Sequence, residues 1–91
     1  MTKTKQTLTQ MQIKMLVHLF NNQTRILSPS QLTREIQSTY SYTQKILRDL
    51  EDSNYLIYIK INRRAYQLKL TKKGLGLCKI LKQLELYGLI Y

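Results

Sequence analysis

Acidic side chains are scarce here beside basic ones. The 91 residues hold five acidic side chains, Glu35, Asp49, Glu51, Asp52 and Glu85, against fifteen lysines and arginines, a formal net charge of +10. An excess of that size in so short a chain excludes a neutral surface and points to an anionic partner, nucleic acid or an anionic membrane face. Cysteine is nearly absent: Cys78 alone rules out an intrachain disulfide framework and fits an intracellular, cytoplasmic protein. No apolar run approaches the roughly 20 residues that span a bilayer, and the N-terminus MTKTKQTLTQ lacks the apolar stretch of a signal peptide. Gly74, Gly76 and Gly88 all fall near the C-terminus, so no phosphate-cradling glycine loop exists. The one histidine, His18, has no acid or cysteine near it in sequence with which to form a metal site or catalytic pair. Five scattered acids offer no acid–base pair either, so no enzyme is expected, and no metal or cofactor.

What is present is ordered. Residues 1–6 form a basic arm carrying Lys3 and Lys5, and residues 7–91 form one small domain. A helix is expected from a cap at Thr7 or Thr9 to about Asn21, with apolar stripes Ile13/Leu16/Val17/Phe20 and Met11/Met15/Leu19, one for a core and one left for a second surface. Arg25-Ile26-Leu27 reads as a short edge strand. Ser28-Pro29, a cap followed by proline at the first helical position, starts a helix presenting Leu32 and Ile36. Thr39 caps a third helix, Tyr40 to about Asp52, the clearest pattern in the chain. Thr43, Ile46, Leu47 and Leu50 recur at i, i+3, i+4, i+7 and define its buried face.

The opposite face of that helix carries Ser41, Gln44, Lys45 and Arg48 at the same spacing, each able to bond a base edge or a phosphate, with Tyr40 and Tyr42 beside them. The bland alternative is a solvated face on which Lys45 and Arg48 pair with Asp49 and Asp52 at i+4. A hairpin follows. Ile57, Ile59 and Ile61 alternate with Tyr58 and Lys60, and Tyr66, Leu68 and Leu70 alternate with Gln67 and Lys69, so one face packs and the other is polar and basic. Its tip, Asn62-Arg63-Arg64, has no acid nearby; the arginines suit a phosphate backbone or a minor groove, or serve only to block edge-to-edge pairing. Tyr58 and Tyr66 read as packing residues rather than stacking platforms. Thr71 caps a last helix, 72–88, whose stripe Leu77, Ile80, Leu81, Leu84, Tyr87 and Tyr91 has little domain left to pack against and is expected to meet a second copy. Cys78 beside that stripe is either a small buried hydrophobe or half of an intersubunit disulfide.

Two helices joined by a tight turn and followed by a hairpin make an α+β winged helix-turn-helix. Residues 27–74, LSPSQLTREIQSTYSYTQKILRDLEDSNYLIYIKINRRAYQLKLTKKG, resemble the winged-helix core of MarR-type transcription regulators. Leu47-Arg48-Asp49-Leu50-Glu51 and Leu70-Thr71-Lys72-Lys73-Gly74 carry the likeness, together with the arginine-tipped wing; it extends over roughly residues 9–80, and each motif is short and shared with other winged-helix families. Size and the Ile/Lys/Tyr-rich make-up are also similar to compact winged-helix proteins of archaeal viruses and plasmids, which would place the protein in a host cytoplasm. The resemblance implies a homodimer built on the first and last helices, including Leu77, Cys78, Ile80, Leu81, Leu84 and Tyr87. It also implies that helix 40–52 (Tyr40, Ser41, Tyr42, Gln44, Lys45, Arg48) enters the major groove of double-stranded DNA while the wing (Lys60, Asn62, Arg63, Arg64) holds the backbone. The chain departs from the pattern in having one C-terminal helix where larger relatives have two, and Asn54-Tyr55 where a glycine is usual before the wing; asparagine tolerates the left-handed conformation that turn needs. No effector ligand is identifiable. Two other expectations stand beside a regulator: an architectural, sequence-neutral nucleic-acid binder, and a winged-helix module that docks an acidic protein.

Overall fold

The computed structural model describes residues 8–88, so the basic arm 1–6, with Lys3 and Lys5, and Tyr91 lie outside the described residues. The element order is α1 (Gln10–Asn21), α2 (Pro29–Glu35), α3 (Tyr40–Asp52), β1 (Leu56–Asn62), β2 (Ala65–Leu70) and α4 (Lys72–Leu86). Each helix starts where a hydroxyl can take an orphan amide. Thr9 rather than Thr7 caps α1, in a capping box with Gln12; Ser28 accepts from Gln31 N, Thr39 from Tyr42 N, and Thr71 from Gly74 N.

The stops are equally local. At the end of α2, Gln37 takes φ 58°, with its amide on Arg34 O at 3.2 Å and the Ser38 amide on Thr33 O at 3.0 Å. At the end of α3, Asn54 takes φ 67°, with its amide on Glu51 O and the Tyr55 amide on Leu50 O, both 2.9 Å. Both are Schellman closures, and neither uses glycine. The first is the turn of the helix-turn-helix; the second is the left-handed asparagine that aims the chain into the wing.

The core lies where α1, α3 and α4 meet the base of the hairpin, around Met15, Leu16, Leu32, Leu47, Leu50 and Leu56, all 1% exposed or less. Burying side chains of this size contributes on the order of 1.5–3 kcal/mol each. Both stripes of α1 join it: Met15, Leu16, Val17 and Leu19 are buried, while Met11, Ile13 and Phe20 pack half-buried against them.

The expected strand at Arg25–Leu27 does not form; among the described residues the sheet has two strands. Asn22 turns the chain back by accepting the Arg25 amide at 3.0 Å, and Ser28 already caps α2, which leaves little chain between them for a strand. The Leu27 carbonyl takes one bond, from Leu68 N at 2.8 Å. The hairpin pairs antiparallel, Leu56 with Leu70, Tyr58 with Leu68 and Lys60 with Tyr66, with an irregularity between Lys60 and Asn62. Leu56, Leu68 and Leu70 are the buried row, whereas Ile57, Ile59 and Ile61 are 44%, 37% and 46% exposed. The packing face of β1 is therefore the leucine–tyrosine row, and the outer face is isoleucine opposite Gln67 and Lys69 rather than polar and basic throughout.

On α4 the inward residues are Gly74, Cys78 and Leu81. Cys78 is fully buried, and its thiol donates to Leu16 O of the same chain at 3.4 Å. Burial also pushes that thiol up to about 11. Cys78 and Leu81 both point into the core of their own chain, which suits the reading of Cys78 as a small buried hydrophobe. Ile80 and Tyr87 are exposed, and Leu77 and Leu84 half-buried. No helix among the described residues is long and apolar enough to cross a membrane.

Candidate nucleic-acid interface

α3 is held by its Thr43/Ile46/Leu47/Leu50 face, which fixes what points outward. Ser41, Lys45 and Arg48 are exposed, Tyr40 and Tyr42 are about half exposed, and Gln44 is half-buried at the foot of the wing. Asp49 and Asp52 do not neutralise this face: among the described residues the ion pairs are His18–Glu35, Arg25–Glu35 and Lys82–Glu85. The Lys45–Asp49 and Arg48–Asp52 pairs are not among them.

At the wing tip, Lys60, Asn62, Arg63 and Arg64 are all exposed. Asn62 is occupied locally, its side-chain oxygen accepting the Arg64 amide at 3.0 Å. Neither arginine takes a positive φ, so the tip is not the mirror-image turn common in two-residue hairpins; the Asn62 side chain and the register irregularity close it instead. Among the described residues neither arginine side chain has an ion-pair partner.

Between α3, the start of α2 and the wing lies a groove of about 680 Å³, walled by Ser28, Pro29, Tyr40, Gln44, Arg48, Glu51, Tyr58, Arg64 and Tyr66 among others. It brings Tyr40, Gln44, Arg48 and Arg64 together on one concave surface. Lys60 stands on the wing's inner row, opposite Tyr66, while Ser41, Tyr42, Lys45 and Arg63 stand outside the groove walls.

Seven of the groove residues were not anticipated there, and three of them, Glu51, Tyr58 and Tyr66, bear on its chemistry. Glu51 puts one carboxylate among the cations. Tyr58 and Tyr66 stack edge-to-face, with centroids 6.0 Å apart, and both line the groove. Tyr58 is more than packing, because its hydroxyl donates to Gln44 Oε1 at 3.4 Å while Gln44 Nε2 donates to the Tyr40 hydroxyl at 2.8 Å. Burial, and then the nearby Glu51 charge, push the Tyr58 phenol above its ordinary range, so it stays protonated as a donor. The one sequence signal for Tyr58 was its alternation in β1, and that assigns no face.

His18 has a partner after all, 17 residues away in sequence. Its Nε2 lies 2.6 Å from Glu35 Oε1, and Glu35 also accepts from Arg25 and from Gln31 Nε2 at 2.8 Å. Hydrogen bonds from Arg25 first, then Gln31 and His18, lower the Glu35 carboxyl to about 2. This cluster lies outside the groove and ties α1 to α2. Among the described residues no group of three or more His, Cys, Asp or Glu side chains is placed to hold a metal.

A helix-turn-helix whose second helix shows an unneutralised polar and cationic face, with an arginine-tipped hairpin beside it, defines the winged-helix fold. The same fold recurs in solved structures of low sequence identity. Staphylococcus aureus MepR in its DNA complex superposes with a TM-score of 0.83 at 21% identity, over 88% of this chain and 59% of that one. Streptococcus pneumoniae FabT in complex with DNA gives 0.75 at 23%, over 85% and 54%. AF1382 from Archaeoglobus fulgidus gives 0.77 at 15%, over 84% and 85%. The chain thus spans less than two thirds of the length of the MepR and FabT chains. No family model matches the sequence, and neither does any curated protein. The similarity noted above to proteins of archaeal viruses and plasmids has no counterpart among these three structures.

Proposed function

We propose that the chain is a transcription regulator that binds double-stranded DNA sequence-specifically as a homodimer. The observation that carries this reading is the outward face of α3 beside the wing: Lys45, Arg48, Arg63 and Arg64 are exposed with no acid paired to them, interleaved with Ser41 and Gln44, which hydrogen-bond without adding charge. Cations left unpaired in the free protein suit phosphates, and a mixed polar face suits base edges. Two structures of the same fold, MepR and FabT, were solved on DNA, which supports the same partner here.

In this reading α3 lies in the major groove, with Tyr40, Ser41, Gln44, Lys45 and Arg48 toward the bases. Arg63 and Arg64 carry the wing on the backbone or in the adjacent minor groove. The exposed side of α4, with Leu77, Ile80, Leu84 and Tyr87, joins two copies. A twofold dimer implies a pseudo-palindromic site with half-site centres about 34–36 Å apart.

Selection of bound sequences from a random duplex library at about 0.15 M salt, where long-range attraction is screened, tests it. A recovered palindrome is the expected result; DNA recovered without a motif would replace the regulator with an architectural binder, and no recovery with a protein-docking module. The two surfaces should also separate. Arg63→Ala is expected to weaken binding to all sequences and to lower the slope of log affinity on log salt by about one unit, whereas Lys45→Ala should change preference at particular positions. A change in base preference with an unaltered slope in Arg63→Ala would refute the backbone role of the wing.

A further inference from the structure

We infer that Tyr58, a wing residue, is a positioning residue that fixes the Gln44 side chain on α3 as a reader of adenine. The inference rests on the DNA-binding reading above and deepens it. A carboxamide offers two N–H donors and two acceptor lone pairs. In the groove, the Tyr40 hydroxyl takes one N–H at 2.8 Å and the Tyr58 hydroxyl takes one lone pair at 3.4 Å. One donor and one acceptor remain. Because a tyrosine hydroxyl can donate or accept, turning the amide over leaves the same remainder.

In the major groove that remainder selects among bases. Adenine presents the N7 acceptor beside the N6 amino donor, the complement of one free N–H and one free lone pair. Guanine presents two acceptors, which would leave the glutamine oxygen facing oxygen. Cytosine offers its amino donor and thymine its carbonyl, each matching only half of the pair. A free glutamine on a helix surface could rotate to suit any of the four. Gln44 is half-buried between two tyrosines, one on its own helix and one on the hairpin, so much of that adaptability is gone before DNA arrives.

The arrangement also makes the wing more than a phosphate clamp. Tyr58 pairs across the hairpin with Leu68, a buried core residue, and stacks edge-to-face on Tyr66, so the hydroxyl that orients Gln44 is carried by a strand anchored in the core. Specificity read on α3 therefore depends on a side chain in β1.

The test uses the full chain and duplexes that differ only at the position Gln44 reads, found as the position whose preference disappears in Gln44→Ala. Wild type is expected to prefer adenine there by about tenfold, within the range of a two-bond base contact. Tyr58→Phe, which keeps the ring and removes only the hydroxyl, is expected to cut that ratio by about threefold to tenfold, the worth of one hydrogen bond. Tyr40→Phe should act in the same direction and serves if Tyr58→Phe folds poorly, which thermal melting would reveal. Adding Tyr58→Phe to Gln44→Ala should not lower the ratio further, a non-additivity that a purely structural loss would not produce. A full wild-type ratio in both phenylalanine variants overturns the inference, as does a preference for a base other than adenine. Recovery of no motif by the wild-type chain overturns the sequence-reading function and this inference with it, whereas the two former results leave that function standing.

Discussion

Two glycines in one helix do opposite things. An added Cβ at Gly74 would sit 2.0 Å from Tyr55 O, a backbone atom that cannot swing aside, whereas one at Gly76 meets nothing within 4 Å. Gly74 is what allows the first turn of α4 to lie against the chain leaving α3, where Thr71 donates its amide to Tyr55 O at 3.1 Å and Lys73 bonds Ser53 O at 2.9 Å. Gly74→Ala is expected to destabilise by about 2 kcal/mol or more, since overpacking outweighs the gain in helix propensity. Gly76→Ala should instead stabilise by about 0.5–1 kcal/mol. For a domain of this size the two should move Tm in opposite directions by about 4–8 °C per kcal/mol, and equal shifts would show that the junction yields. The glutamine in the helix-turn-helix turn supplies a second residue-scale test. Gln37 is exposed and holds φ 58°, so Gln37→Gly relieves a left-handed side chain and should raise stability by about 0.5–1 kcal/mol in thermal or urea melts. A loss of stability there would show that the glutamine side chain makes contacts that matter.

Between elements, the Glu35 cluster carries the coupling that the sequence concealed. One carboxylate joins His18 of α1, Arg25 of the connecting loop and Gln31 of α2. Its partners lie 17, 10 and 4 residues away, and only the last falls at a helical spacing that a pattern search examines. Folding lowers the Glu35 carboxyl from 4.5 to about 2, so its contribution is fully present above the unfolded value and is lost as pH falls from about 4.5 toward 2. Glu35→Gln is therefore expected to melt below wild type by a constant margin above pH 5, with the margin closing as the pH approaches 2. A margin that persists unchanged at pH 2 would place the effect in shape rather than charge. The elements themselves were largely legible, because serine and threonine caps stand at the starts of α2, α3 and α4 and the helix 40–52 pattern is unambiguous. The wing was legible in position but not in phase. Both rows of β1 are apolar, Leu56/Tyr58 and Ile57/Ile59/Ile61, so alternation alone could not choose between them. The choice is made by the left-handed Asn54, which sends Leu56 beneath α3.

At the scale of the whole molecule, the open question in the sequence was which side of α4 belongs to the protomer. The helix is apolar on more than one side, and a stripe of Leu77, Ile80, Leu81, Leu84 and Tyr87 runs two faces together. Gly74 separates them: its close approach to Tyr55 sets the rotation of the helix, and Cys78 and Leu81, four and seven residues on, must then point into the core. Ile80, Leu84 and Tyr87, again at i, i+4, i+7, fall on the other side, where Ile80 is 57% and Tyr87 78% exposed. In the proposed homodimer these side chains form the face that meets the second copy, and burying them would add to a core that is thin for 91 residues. Light scattering on a sizing column is expected to report about twice the chain mass of 10.8 kDa for wild type. Ile80→Glu should halve that mass while keeping the circular dichroism of the folded protomer, because the side chain it replaces is not part of the protomer core. The same variant should keep its affinity for a single half-site and lose the advantage of the full palindrome, since only a joined pair engages both halves together. A wild-type chain that elutes as a monomer, or an Ile80→Glu variant that remains dimeric, would move the interface off this face of α4 and leave its exposed row without a role.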